Sequence, residues 1–247
     1  MSEDFHVLIP ARLASSRLPR KALVEVHGQP LVVHVMRCAE RSGAASVHVA
    51  TDSEEIAVAV DNAGGHVVMT ATDHCSGTDR LAEATAELGF HDDAVIVNLQ
   101  GDEPEMPSAC MRQVAELLRH DSQARMATLY APIEDEHQWR DPNVVKLVRD
   151  ARGRALYFSR AAIPHVRDGG WPNHQALRHV GLYAYRARAL MEWRDLPPGD
   201  LEQCESLEQL RALQAGWKIA VAACAQPIPV GIDTPDDLEK FRNSKIT

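Results

Sequence analysis

No stretch of the sequence stays apolar for the eighteen or so residues that a bilayer-spanning helix needs, and the N-terminus lacks the basic flank and apolar run of a signal peptide. A cytoplasmic protein without membrane insertion is the expectation. Cysteine is sparse: Cys38, Cys75, Cys110, Cys204 and Cys224 are odd in number, scattered, and never in a CxxC pair, which argues against a disulfide framework and a zinc knuckle. The twelve histidines include no HExxH pair, so the usual helical zinc site is missing too. Basic residues are outnumbered, 26 Lys and Arg against 35 Asp and Glu, for a net charge of -9. Such a surface repels nucleic acid, whose binding rests on neutralising phosphates. Repeats and low-complexity linkers are absent as well, and residues 1–247 read as one domain.

What is present is a folded composition, 45% hydrophobic and 25% charged, in a chain long enough to bury a full core. Its first half alternates apolar strands (His6 to Pro10, Val47 to Thr51, His66 to Met69, Ala94 to Leu99) with helical segments. Those helices run from Pro30 to Ser42, Ser53 to Ala63, Thr78 to Leu88 and Pro107 to Arg119. The alternation implies right-handed βαβ units and an α/β fold with a mostly parallel central sheet flanked by helices. Pro30 suits a first helical turn, Gly43 a C-terminal cap, and Asp52 with Glu55 a capping box.

Beyond residue 125 the pattern turns to antiparallel hairpin material: strands at Met126 to Ile133, Val144 to Arg149, Ala155 to Ser159 and Val180 to Tyr185, with a mobile loop over 164–173. A smaller antiparallel substrate or dimerisation lobe is expected over roughly 126–200. Leu201 to Ala215 reads as one helix, followed by a strand from Lys218 to Ala223 and a terminal helix from Pro235.

Ligands of open parallel sheets gather beyond the carboxyl ends of the strands. After the first strand comes a loop with Arg12, Ser15, Ser16, Arg17, Arg20 and Lys21; it is neither GxxxxGK[ST] nor GxGxxG. Arginine forks and a lysine point charge suit a triphosphate and a leaving pyrophosphate. A solvated basic loop is the plainer alternative. After later strands come Gln100-Gly101-Asp102-Glu103 and Gly231-Ile232-Asp233-Thr234. Paired carboxylates from these two turns suit Mg²⁺, which takes a few protein oxygens plus phosphates and water. Alone, Asp233 equally suits a helix N-cap and Asp102 a turn.

The strings IPARLASSRLPRKAL, ATDSEEIA, DHCSGTDRLAEA, VNLQGDEP, DPNVVKLV, ALYFSRAAIPH, RHVGLYAYR, ESLEQLR and GIDTPDDLE resemble, in this order, successive blocks of the 3-deoxy-manno-octulosonate (Kdo) cytidylyltransferases. The resemblance implies a nucleotide-diphospho-sugar transferase-like fold, CTP and Kdo as substrates, Mg²⁺ as cofactor, and a homodimer. It implies CMP transfer that activates Kdo for lipopolysaccharide synthesis; another acidic sugar, 8-amino-Kdo or sialic acid, is the nearest alternative. Carried over by position, Arg12, Arg17 and Lys21 contact the triphosphate, and Asp102 and Asp233 hold the metal, with Lys21 as the third catalytic residue. Ser76, Arg80 and Gln100 lie near the cytidine or the reacting centre. Arg160, His179, Tyr183, Glu208 and Gln209, with Gln100, line the sugar pocket. Chemically, Arg160 suits a sugar carboxylate, and His179, Glu208 and Gln209 suit hydroxyls. A strand-end histidine, a surface helix glutamate and a sheet tyrosine are the bland alternatives for His179, Glu208 and Tyr183. Arg20 and Ala22 depart from the family, which usually has Gly before the loop lysine and Pro after it.

Overall fold

Apolar runs in the first half of the chain fold as strands, and the segments of helical period between them as helices. The computed structural model describes residues 4–15, 18–74 and 76–244. Strand β1 (His6–Ala11) leads through a 3-10 turn at Lys21–Leu23 and a short hairpin, β2 (Glu25–Val26) with β3 (Gln29–Pro30), into helix α1 (Leu31–Glu40). There follow β4 (Ser46–Thr51), α2 (Glu54–Asn62), β5 (Val67–Met69), α3 (Gly77–Leu88), β6 (Val95–Asn98) and α4 (Ser108–His120). β1 pairs in parallel with β4 and β6, and β4 with β5, as the βαβ pattern requires. The caps differ from expectation: Pro30 stands at the N-cap of α1 rather than in its first turn, and its C-cap is Arg41, with Gly43 two residues beyond. Ser53, not Asp52, caps α2 by accepting from Ile56 N, because Asp52 is bound to the Arg80 guanidinium at 2.8 Å and Glu55 to Arg20.

The second half is built from β7 (Ala124–Pro132), α5 (Glu136–Arg140), β8 (Lys146–Arg149), β9 (Ala155–Ser159) and β10 (Leu177–Arg186). Then come α6 (Ala187–Trp193), α7 (Asp200–Glu205), α8 (Gln209–Gln214), β11 (Lys218–Ala223) and α9 (Pro235–Asn243). The main sheet runs β11-β7-β10-β6-β1-β4-β5, and β10 alone along this path is antiparallel to its neighbours. Of the segment 126–200, β7 and β10 therefore run inside the central sheet, and the hairpin β8–β9 branches from the start of β10.

Helices cover both faces of the sheet. On one, α1 and α4 bury Val35, Met36, Met111 and Val114; on the other, α3, α6 and α8 bury Leu81, Leu190, Trp193 and Leu210. A separate cluster joins the chain's two ends: Ile232, Leu238 and Phe241 pack with Val26 and Leu31, flanked by Leu18 and Val24. Each large apolar side chain buried there stabilises by about 2 kcal/mol, enough to fix the loops on either side of it. Among the described residues no helix is long and apolar enough to cross a membrane.

At the amino ends of the strands, away from the carboxyl edge, histidines replace the apolar ladder. His6 bonds Ser46 Oγ at 2.8 Å, and the His48 and His66 rings lie 5.5 Å apart. Burial lowers the pKa of His6, with Asp4 opposing and His91 adding; burial also lowers that of His48, with His66 and His6 adding. A histidine depressed in the folded state leaves stability intact above its unfolded value of about 6.5. Below that value the unfolded chain gains the proton first, and stability falls. Replacing both (His6→Asn, His48→Gln) should flatten the loss of melting temperature between about pH 7.5 and pH 5.5, measured by scanning calorimetry. Parallel curves for variant and wild type would remove these two groups from the acid response.

Candidate active site

A cavity of about 790 Å³ opens at the carboxyl edge of the sheet, where β1, β6 and the reversed β10 meet. Its lining includes Arg12, Lys21, Ser76, Arg80, Gln100, Asp102, Arg160, His179, Tyr183, Glu208, Gln209 and Asp233. These are the twelve expected site residues that fall within the described part of the chain; Arg17, the thirteenth, lies outside it. The β6 turn lies hard against β1. A Cβ on Gly101 would sit 2.8 Å from the Pro10 carbonyl oxygen, so this turn takes no other residue without shifting.

The two distant aspartates converge on one ammonium. Lys21 Nζ donates to Asp102 Oδ2 at 2.7 Å and to Asp233 Oδ1 at 2.9 Å. Three local devices bring them there. The 3-10 turn presents Lys21, Ile232 N donates to the Asp102 carbonyl at 2.8 Å, and Ile232 anchors its loop in the cluster that also holds Leu18 and Val24. Asp233 does not cap α9. Thr234 does, accepting from Asp237 N at 3.2 Å in a capping box with Asp237, which leaves the Asp233 carboxylate to Lys21. Burial works against the charge of Lys21, but Asp102 and Asp233 outweigh it and hold its pKa above the ordinary value. Next door, burial and then the charge of Asp102 push Glu103 up to about 8, and its Oε2 is buried without a hydrogen bond.

The residues expected to meet the sugar line the same cavity. β10 bulges between Val180 and Tyr183, and the Thr128 hydroxyl meets the Val180 and Leu182 carbonyls at 2.8 and 2.9 Å. That hydroxyl has one proton. His179 Nε2, 3.1 Å from the same oxygen, must then carry its own hydrogen and donate, which leaves Nδ1 as an acceptor. Burial pushes His179 down to about 3, so the ring is neutral. The Tyr183 ring lies beside it at 5.2 Å, tilted by 46°, and Tyr185 follows 5.8 Å from Tyr183, both tyrosines buried.

The single helix expected over 201–215 is broken. Ser206 takes a left-handed φ of 52°, separating α7 from α8. The break frees the Glu205 and Ser206 carbonyls, which accept from Arg160 Nε at 2.7 Å and Nη2 at 3.4 Å, while Nη1 donates to the Pro142 carbonyl at 2.9 Å. Glu205 also accepts from Ser159 Oγ and Arg160 N, and the fully buried Lys146 ammonium donates to the Arg160 carbonyl at 2.6 Å. Arg160 is thus clamped from both sides with N–H donors still uncommitted. Gln209 follows the break, and its buried Nε2 has no partner.

The chain matches the family model described as Cytidylyltransferase over residues 6–219. It is 54% identical over 243 residues to the 3-deoxy-manno-octulosonate cytidylyltransferase of Xanthomonas euvesicatoria pv. vesicatoria (strain 85-10), covering 95% of this chain and 93% of that one. Its identity to the protein of the same name from Serratia proteamaculans (strain 568) is 52%, covering 98% of each. The chain belongs to the 3-deoxy-manno-octulosonate cytidylyltransferases. Among solved structures, CMP:2-keto-3-deoxy-manno-octonic acid synthetase complexed with CTP superposes with a TM-score of 0.88 at 40% identity, over 97% of both chains. A 4-diphosphocytidyl-2C-methyl-D-erythritol synthase, 15% identical with a TM-score of 0.66, shares the fold.

Within this family the departure at Arg20 now has a geometry. Arg20 sits at φ 57°, a left-handed conformation that glycine enters freely, and its guanidinium forks onto Glu55 of α2 at 3.2 and 2.5 Å. Arg80 is committed too, to Asp52, to Thr70 and to the Ala71 carbonyl, so it is held rigidly where it lines the cavity. Sequence reasoning missed Asn98, Thr78 and Glu205. Asn98 Oδ1 is buried without a partner on the cavity floor. A lone asparagine inside the apolar run of β6 was the available signal.

The neutral state of His179 is directly measurable. Its imidazole resonances should stay unchanged from about pH 5 to pH 8 in an NMR titration, because the group lies far below its ordinary value throughout. A titration midpoint near 6.5 would contradict the buried acceptor geometry.

Proposed function

We propose that this protein transfers CMP from CTP to Kdo, giving CMP-Kdo and pyrophosphate, with Mg²⁺ held by Asp102 and Asp233. The observation that carries the reading is the meeting of both carboxylates at one point of the cavity that Arg160, His179, Glu208 and Gln209 also line. Relatives above 50% identity carry the Kdo name, which favours Kdo over other acidic sugars.

The donor set fits the ion. Oxygens of both aspartates already share one cation, the Lys21 ammonium, and hard carboxylate oxygens are what Mg²⁺ takes. No group of three or more metal-binding side chains gathers among the described residues, so phosphates and water would complete the shell. When bound, such an ion neutralises phosphate charge and lowers the pKa of a coordinated hydroxyl.

The chain's own residues supply positioning and charge. The C2 hydroxyl of Kdo attacks the α-phosphorus in line: its oxygen gains the phosphorus bond and loses its proton, and the bond to the leaving pyrophosphate breaks. Lys21 and Arg12 meet the negative charge that builds on that leaving group. Arg160 takes the sugar carboxylate through its remaining donors, His179 Nδ1 and Glu208 accept from hydroxyls, and Gln209 Nε2 donates to one. Ser76, Arg80 and Gln100 flank the cytidine. Use of a nucleoside triphosphate supports a cytoplasmic location, and the homodimer expected from the resemblance belongs to the same proposal.

A pyrophosphate-release assay with CTP, Kdo and Mg²⁺ tests it. Wild type should turn over, chelation should stop the reaction and Mg²⁺ restore it, and Asp102→Asn or Asp233→Asn should lower turnover by about a thousandfold or more with unchanged circular dichroism. Activity near wild type in either variant would remove that aspartate from the reaction.

A further inference from the structure

The first turn of α3 carries residues that reach in two directions. Ser76, its N-cap, and Arg80 line the cavity among the residues assigned above to the nucleotide. Thr78, which also lines the cavity, and Asp79 bond toward the segment that follows the Ser206 break. Thr78 Oγ1 donates to Glu208 Oε2 at 2.6 Å, across 130 positions of sequence, and Thr78 is only 4% exposed. Asp79 Oδ1 accepts from Trp193 Nε1 at 2.9 Å and lies 3.4 Å from Arg211 Nη1. Arg211 in turn forks onto Glu202 at 2.7 and 2.6 Å and stacks over Trp193 at 4.8 Å.

This bracket matters because α8 cannot hold itself in place. It has six residues, follows a left-handed break and has no side-chain cap. A helix that short is unstable alone, so tertiary ties decide where Glu208 and Gln209 point. The hydroxyl of Thr78 has a single proton, which it gives to Oε2 of Glu208 and so anchors that oxygen. The other oxygen of Glu208 stays available to the cavity.

We propose that Thr78 and Asp79 are positioning residues for the sugar subsite: Thr78 orients the Glu208 carboxylate, and Asp79 through Arg211 fixes the helix that presents Glu208 and Gln209. This rests on the assignment of those two side chains to the sugar. One rigid turn then carries nucleotide contacts on one side and sets sugar contacts on the other.

Steady-state kinetics of Thr78→Val, Thr78→Ser and Asp79→Asn, varying Kdo and CTP separately, test it. Loss of a hydrogen bond to a charged group should raise KM for Kdo about tenfold in Thr78→Val and leave KM for CTP within about twofold. Thr78→Ser, which keeps the hydroxyl, should restore KM for Kdo to within about twofold of wild type; Asp79→Asn should follow Thr78→Val in direction. In a Glu208→Gln background, Thr78→Val should add little. Equal rises in both KM values, no rise, no rescue by serine, or fully additive effects would each overturn the proposal. Should Thr78→Val not fold, Thr78→Cys, similar in volume and a weaker donor, takes its place. If the wild type releases no pyrophosphate from CTP and Kdo, the reaction assignment fails separately. The positioning claim is then decided by a crystal structure of Thr78→Val, in which Glu208 leaves its place if the claim holds and keeps it if the claim is wrong.

Discussion

Two ionised carboxylates close together repel unless a cation or a shared proton offsets their charge, and here the ammonium of Lys21 bonds both Asp102 and Asp233. Its two bonds tie the loop after β1 to the turn after β6 and to the loop after β11. The packing of Ile232, Leu238 and Phe241 with Val26 and Leu31 holds the segment after β11 against the segment after β1, and Ile232 N ties it to the β6 turn through the Asp102 carbonyl. A single polar contact and a small apolar cluster thus cooperate to place charges that lie far apart in the sequence. Beside them, burial and then the charge of Asp102 push the Glu103 carboxyl up to about 8, which disfavours a third negative charge there.

The residues around His179 and Arg160 follow a different logic, in which backbone irregularity makes room for side-chain bonds. The β10 bulge is satisfied by Thr128, and this fixes the tautomer of His179. The break at Ser206 is satisfied by Arg160, and this fixes the start of α8. In both places a freed carbonyl is met by a buried polar group, as the cost of unpaired backbone demands. Both places also line the cavity. Asn98 Oδ1 and Gln209 Nε2, buried polar atoms without partners, belong to residues that line the same cavity. The hydroxyls of the proposed sugar would supply the donors and acceptors they lack.

The first half of the chain was legible in sequence because buried parallel strands are short apolar runs and their helices carry a clear 3.6 period. In the second half the strands and the terminal helix were legible too, but the break in the helix expected over 201–215 was not. The apolar spacing of Leu201, Leu207, Leu210 and Leu213 fits one helix, and no glycine or proline marks the stop at Ser206; the stop depends on Arg160, some 45 positions earlier. Local alternation likewise marked β7 and β10 as strands without telling that both join the central sheet. At the site, the rule that ligands gather after strands located Asp102 and Asp233, since it depends on topology alone. That Lys21 would stand between them, and that Thr78 would hold Glu208, required the coordinates. Neither short contact leaves a trace in spacing.

The convergence of the aspartates is most directly tested by diffraction from crystals grown with CTP and Mn²⁺ in place of Mg²⁺, with data collected at the manganese edge. The account predicts an anomalous peak bonded to both Asp102 and Asp233, with Lys21 Nζ moved onto a phosphate. A peak bonded to neither carboxylate, or Lys21 still bridging the pair with the metal elsewhere, would contradict it.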